Sequence, residues 1–269
     1  MNSKNNNTVL ITGASSGIGR ALAVEFAKNG YDIIAVAKHE GSLQNLKNTL
    51  LQGPGTVVDT ITLDLSADDS ALKLYREVQR RGHVVNILVN DAGIGQRDYF
   101  VEGEWDKYNT MIHLNTLTLA HLTHLFSKDM VARNEGKILQ LGSVAGFQPG
   151  PLMAVYHATK AFVVSLSEAL ATEFEDLESD VTITCLCPGP TDTAFFVKAD
   201  MMETNVVKHK EKMMMSPEEV AKGAYKALMD GERIYIPGAM NKISTFIRRA
   251  IPKSMQATMQ QKYYETSND

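Results

Sequence analysis

The sequence is short of cysteine, of long apolar runs and of excess charge, and each shortage removes a class of protein. Only two of the 269 residues are cysteines, too few to staple a fold. Cys185 and Cys187 flank one residue in "TITCLCPG", a strand-like run in which side chains two apart share a face. They could bridge only with strain, and no neighbouring His or Asp set completes a metal site. Buried free thiols in a reducing cytosol are the expectation, and no metal is expected. No apolar run reaches the length of a membrane span. The opening "MNSKNNN" is polar and leads straight into "TVLIT", without the apolar centre or cleavage site of a secretory signal. A cytoplasmic protein is therefore expected. A net charge of -4 makes no basic field, so nucleic-acid binding is not expected.

What is present is ordinary globular composition, 44% hydrophobic and 22% charged, enough for one large domain over 1–269. Short β-branched runs at 8–12, 31–37, 57–63, 85–90, 137–142, 181–187 and 233–237 alternate with stretches of helical spacing. Seven such strands predict an α/β fold, a doubly wound seven-stranded parallel sheet with helices on both faces. The helical segments 104–133 and 155–178 are apolar on more than one face. A partner subunit, in a homodimer or homotetramer, is the simple explanation, and cover by the chain's own loops is the alternative.

"TVLITGASSGIGRALAVEFAKNG" reads strand, tight turn, helix. Gly13, Gly17 and Gly19 fall where the backbone must turn, approach a ligand and pack a helix on a sheet, and the helix start offers free N–H groups to a pyrophosphate. "TGASSGIG" at 12–19 resembles the Thr-Gly-x-x-x-Gly-x-Gly fingerprint of the short-chain dehydrogenase/reductase family, whose fold is the Rossmann type. "NDAG" at 90–93 is similar to that family's Asn-Asn-Ala-Gly turn, with Asp91 in place of the second asparagine, a departure that bears on local hydrogen bonds. "PGPTDT" at 188–193 resembles the segment that lies against the nicotinamide. The resemblance implies a dinucleotide held by Gly13, Ser15, Ser16, Gly17, Ile18 and Gly19 around its pyrophosphate. It implies contacts from Asp64, Leu65, Asn90, Ala92 and Gly93, and from Pro188, Gly189, Thr191 and Thr193, with Thr193 bonded to the carboxamide.

The second strand ends "AVAKHE". An acidic residue there would favour NAD, because a carboxylate accepts from both ribose hydroxyls and repels a 2′-phosphate. Ala37 takes that place, followed by Lys38 and His39, so NADP(H) is preferred and NAD(H) possible. Asp64 matches the family position that binds adenine, and an aspartate closing a strand could equally cap a helix.

Tyr156 and Lys160 lie four apart in a helical segment and share a face. A phenol with a pKa near 10 shuttles protons poorly at neutral pH. Lowering it by about 3 units takes roughly 4 kcal/mol, which an ammonium at about 4 Å supplies if the dielectric is near 20. Ser143 follows the fifth strand and could bond a substrate oxygen, or simply cap a turn. The resemblance implies the tetrad Asn115, Ser143, Tyr156 and Lys160, with Tyr156 as the acid, Lys160 also on the nicotinamide ribose and Asn115 holding a relay water. His157 points about 100° from Tyr156 on a helix and is expected at the surface or a subunit contact.

Residues 191–216 occupy the place of a substrate cover, and Phe195, Phe196, Met201, Met202, Met213, Met214 and Met215 would make it apolar and adaptable. Helices that merely pack on the body are the alternative. Segment 240–264, within a C-terminal extension 240–269, pairs Ile243, Phe246, Ile247 and Ile251 with Lys242, Arg248, Arg249 and Lys253. It could pack on its own domain, on a partner or on an anionic membrane, and Pro252 interrupts it. The function implied is an NADPH-dependent carbonyl reductase or alcohol dehydrogenase, acting in either direction on a small-molecule substrate, an apolar ketone or secondary alcohol. An NAD-linked hydroxysteroid or polyol dehydrogenase is the enzymatic alternative. A catalytically silent dinucleotide sensor is the other, and it should have lost the Tyr156 and Lys160 pair.

Overall fold

A computed structural model describes residues 7–51, 57–205, 214–248 and 250–266. Seven parallel strands form one sheet: β1 (Thr8–Thr12), β2 (Asp32–Ala37), β3 (Val58–Thr62), β4 (Ile87–Asn90), β5 (Lys137–Leu141), β6 (Thr182–Leu186) and β7 (Ile234–Tyr235). Their order is β3-β2-β1-β4-β5-β6-β7, the doubly wound topology expected from the sequence. Each expected strand is found, several shorter by one or two residues at an end, because ladder pairing stops before the β-branched run does.

Both faces of the sheet are covered, which is why its central strands are mostly apolar. Val9 and Ile11 of β1 pack with α1 (Gly17–Lys28), α2 (Glu40–Leu50) and, on the same face, the helix Pro217–Met229. Leu10 between them packs on the other face, with α3 (Ser70–Arg80) and the later helices carrying Phe126 and Phe174. Alternation of side-chain direction along a strand thus feeds two cores.

The expected helical segment 104–133 is three pieces: α4 (Trp105–Ile112), a π-helical stretch at His113–Thr118 and α5 (Leu119–Arg133). One extra residue per turn in that stretch rotates the positions that follow it. α6 (Ala154–Asp176) buries Lys160, Val163, Ser167, Ala171 and Phe174, a single stripe at helical spacing. Leu117 and Phe162 stay exposed on these neighbouring segments. The chain continues through α7 (Phe195–Lys198), α8 (Pro217–Met229), α9 (Ala239–Arg248) and α10 (Lys253–Tyr264). Ser216 and Glu219 form a reciprocal capping box at the start of α8, which fixes where that helix begins. Among the described residues no helix is long and apolar enough to cross a membrane.

Candidate active site

A cavity of about 520 Å³ lies along the carboxyl ends of β1, β4, β5 and β6, where the strand order reverses and open α/β sheets bind ligands. Its floor is the turn after β1. Gly13 and Gly17 have φ of +69° and +55°, which side chains on L-residues rarely accept. A side chain at Gly13 would also stand 2.9 Å from the Ala92 nitrogen. Ser15, Ser16, Gly17 and Ile18 line the cavity. Ser16 is the N-cap of α1 without its side chain closing on the helix, so the first-turn N–H groups face the cavity as a pyrophosphate would need. The residues present therefore fit a dinucleotide. Gly19 does not line the cavity; it packs against the carboxyl of Asp91 below it.

At the β2–β3 end, Ala37, Lys38, His39, Asp64 and Leu65 line the cavity. Lys38 Nζ lies 2.7 Å from Asp64 Oδ2, and the hydrogen bond from Lys38 holds the Asp64 carboxyl down to about 2, helped by Ser66. Asp64 Oδ1 accepts from the Ser66 amide at 3.0 Å and its hydroxyl at 2.6 Å, so the carboxylate closes a turn while it faces the cavity. Ala92, Gly93, Pro188, Gly189, Thr191 and Thr193 all line it. Thr193 Oγ1 accepts from the Phe195 amide, which starts α7. Asn90, expected at the cofactor, is instead buried in the sheet. Its Nδ2 donates to Thr123 Oγ1 and Gln140 Oε1, both at 3.1 Å, because side chains alternate along β4 and its side chain is turned into the body of the protein.

Tyr156, Lys160 and Ser143 meet at the β5 and β6 ends and line the cavity. Ser143 caps the short helical turn after β5, its Oγ accepting from the Ala145 amide at 3.1 Å, so the turn-capping role is real alongside its place at the cavity. Burial pushes the Tyr156 phenol up to about 12, against a hydrogen bond with Ser143 that lowers it. The expected depression by lysine is absent from this arrangement. Lys160 Nζ is 5.8 Å from the Tyr156 ring centroid and donates to the Leu141 carbonyl at 2.7 Å. Burial holds the ammonium down to about 8, opposed chiefly by the charge of Asp91.

Asn115 lies behind the cavity wall, in the π-helical stretch. Its Nδ2 donates to the Ile94 carbonyl at 2.9 Å and to Thr159 Oγ1 at 3.1 Å, and its Oδ1 accepts from the Ile94 amide at 3.0 Å. It therefore clamps the turn after β4 to α6 next to Lys160. Asp91 in that turn is a buried carboxyl whose Oδ1 has no partner among the described residues. Burial pushes it up to about 7, against Lys160 and the Gly19 amide, which lower it. Cys185 and Cys187 are free and buried, with sulfurs 3.6 Å apart.

Three features were missed or misplaced from sequence. His157 is buried, not at the surface, because α10 covers that side of α6. Its Nδ1 lies 2.8 Å from the Gln148 carbonyl and its Nε2 2.9 Å from the Tyr264 hydroxyl. Burial holds the imidazole down to about 4, so the ring is neutral; a carbonyl only accepts, so Nδ1–H donates and the Tyr264 hydroxyl donates to Nε2. Arg248 donates to Gln148 Oε1, and Gln148 Nε2 donates to Gln260 Oε1 at 2.9 Å; the four-residue spacing of Gln256, Gln260 and Tyr264 was the available signal. The apolar cover is seen in part: the Phe195 ring lies 5.3 Å from Tyr156, and Phe196 and Met201 are buried with Leu152, Met153 and Tyr264. Met214 packs on this cluster, Met215 packs toward the sheet and Met202 is exposed. Met213 and Arg249 lie outside the described residues.

The family model for short chain dehydrogenases matches residues 7–204. The human dehydrogenase/reductase SDR family member 11 is 28% identical over 235 residues, 84% of this chain and 90% of that protein. The mouse very-long-chain 3-oxoacyl-CoA reductase is 34% identical over 171 residues, 62% of this chain and 54% of that one. A short-chain dehydrogenase from Sphingobium yanoikuyae, solved with NADPH, superposes with a TM-score of 0.78 at 29% identity, covering 92% of this chain and 97% of its own.

Proposed function

Since the chain belongs to the short-chain dehydrogenase/reductase family, NAD(P)-dependent oxidoreductases of CH–OH and C=O groups, we propose an NADP(H)-preferring carbonyl reductase for an apolar ketone, reversible on the secondary alcohol. One observation carries the reading: a phenol, Tyr156, stands with Ser143 and Lys160 on a cavity whose wall there is Met153, Phe195 and Met201. Those three side chains are apolar, which suits an apolar carbonyl substrate and is in keeping with the long-chain substrate in the name of the mouse relative.

The bound nicotinamide supplies or accepts the hydride. The chain's residues handle binding and the proton. N–H groups of the glycine turn and the start of α1 hold the pyrophosphate, and Lys38 reaches the 2′-phosphate. Tyr156 Oη gives its proton to the carbonyl oxygen, and its raised pKa keeps that proton in place until the oxygen becomes basic. The Ser143 hydroxyl donates to the same oxygen and stabilises charge developing there. Lys160, fixed by the Leu141 carbonyl, places a cation beside the phenolate that forms. Exposed Leu117 and Phe162 provide the contact for a homo-oligomer.

Tyr156→Phe tests the assignment, because it removes the proton donor and little volume. Turnover of a ketone should fall by roughly 10²–10⁴-fold with NADPH affinity nearly unchanged by fluorescence titration. Full activity in that variant would refute the role.

A further inference from the structure

Helices α9 and α10 are amphipathic in the reverse sense. On α9 the inward residues Asn241, Ser244, Thr245 and Arg248 line the cavity, while Met240, Ile243, Phe246 and Ile247 face outward, Phe246 with 71% of its surface exposed. On α10 the polar Gln256 and Gln260 are buried, and Met255 and Met259 are exposed. A helix that only covers its own domain turns its apolar stripe inward. Large apolar side chains grouped on the outer faces of two consecutive helices mark an interaction surface.

Charge selects the partner. Residues 239–264 contain no Asp or Glu, yet carry Lys242, Arg248, Arg249, Lys253 and Lys262, in a chain of net charge -4. Lys242, Lys253 and Lys262 are exposed on the same two helices as the apolar residues, Lys253 with its Nζ on the Phe147 carbonyl at 3.1 Å. A second copy docking through this face would set the lysines of two copies against each other, and like charges across an interface are disfavoured. An anionic lipid headgroup layer over an apolar interior matches both the cations and the apolar stripe.

We propose that the outer faces of α9 and α10 dock on an anionic bilayer surface. Phe246, Ile247 and Met259 enter the headgroup boundary and the lysines meet lipid phosphates and carboxylates. The inner faces of these helices line the cavity, so docking holds the cavity against the lipid. The proposal concerns binding and does not depend on which carbonyl is reduced.

The test is co-sedimentation of the full chain with vesicles of phosphatidylcholine alone and of phosphatidylcholine mixed with phosphatidylserine. Binding should favour the mixed vesicles and weaken with salt. Phe246→Asp should lower the partition coefficient by at least about tenfold, and Lys242→Glu should reduce only the dependence on phosphatidylserine. Neither residue lines the cavity, so thermal midpoint and turnover of a water-soluble ketone should be unchanged in both variants and certify their folding. Ile243→Gln is a milder second probe of the same stripe. Absence of binding to either vesicle overturns the proposal, as does binding insensitive to these substitutions. So does light scattering that shows Phe246→Asp splitting a native oligomer, since the face would then belong to a second copy.

Discussion

The carboxyl of Asp91 lies under the first turn of α1, near the end that the glycine loop opens to a pyrophosphate, and takes the Gly19 amide as a donor. Asparagine could accept that bond at no ionic cost, so the acid makes stability depend on pH. Its pKa rises from 3.8 to about 7 on folding, mainly through burial. Below the unfolded value both states hold the proton and nothing is lost. Between the two values the folded chain binds more proton than the unfolded one, so stability falls as pH rises, and the full cost stands above about 7. A shift of this size corresponds to something on the order of 4 kcal/mol, and the coupling to Lys160 is already within it. Asp91→Asn should therefore raise the thermal midpoint at about pH 8 and leave it nearly unchanged at about pH 4. Equal gains at both pH values would mean the carboxyl is not the cause. The sequence exposes Asp91 as a departure from a pattern, but burial beside Lys160 is a property of packing, which spacing along the chain does not carry. The same holds for Tyr156: its spacing to Lys160 was legible, whereas the burial that raises the phenol and the Leu141 carbonyl that fixes the ammonium were not.

At the scale of elements, α10 is tied to α6 by a buried bond from the Tyr264 hydroxyl to His157 Nε2 at 2.9 Å. Tyr264→Phe leaves the imidazole acceptor buried and unpaired, which costs about 1–3 kcal/mol. Hydrogen exchange should quicken across 253–264 more than across the sheet, and a uniform change over the whole chain would argue against this local anchor. The strands were readable because a sheet covered on both faces demands β-branched apolar runs, and Ile33, Ile34 and Val36 are of that kind. The interruption of 104–133 was not, because a π-helical stretch adds one residue without altering composition. Yet that stretch is what aims Asn115 at Ile94 and Thr159. The inward faces of α9 and α10 were equally hidden, since the usual rule assigns the apolar stripe of a helix to the core, and here polar side chains take that side.

Across the whole molecule, the cavity runs from the β2–β3 edge to the C-terminal helices, so a coenzyme bound along it ties distant elements together. A ligand that binds only the folded chain adds stability according to its concentration over its Kd, about 2.7 kcal/mol at a hundredfold excess. Thermal shift therefore reads coenzyme choice without any substrate. Lys38 begins paired with Asp64, and both side chains are well exposed, at 61% and 38%. Such a pair contributes about 0–1 kcal/mol, while a charge-assisted bond to a 2′-phosphate contributes about 1.5–3 kcal/mol. Exchanging one for the other favours NADPH, even though Asp64 stays near the phosphate tied to Ser66. At equal concentration NADPH should raise the midpoint more than NADH does. Lys38→Asp should reverse the order, and Asp64→Asn, which frees the lysine and removes a like charge, should widen it. A larger shift with NADH in the unaltered chain would make this an NAD-linked enzyme and leave Lys38 an ordinary surface lysine.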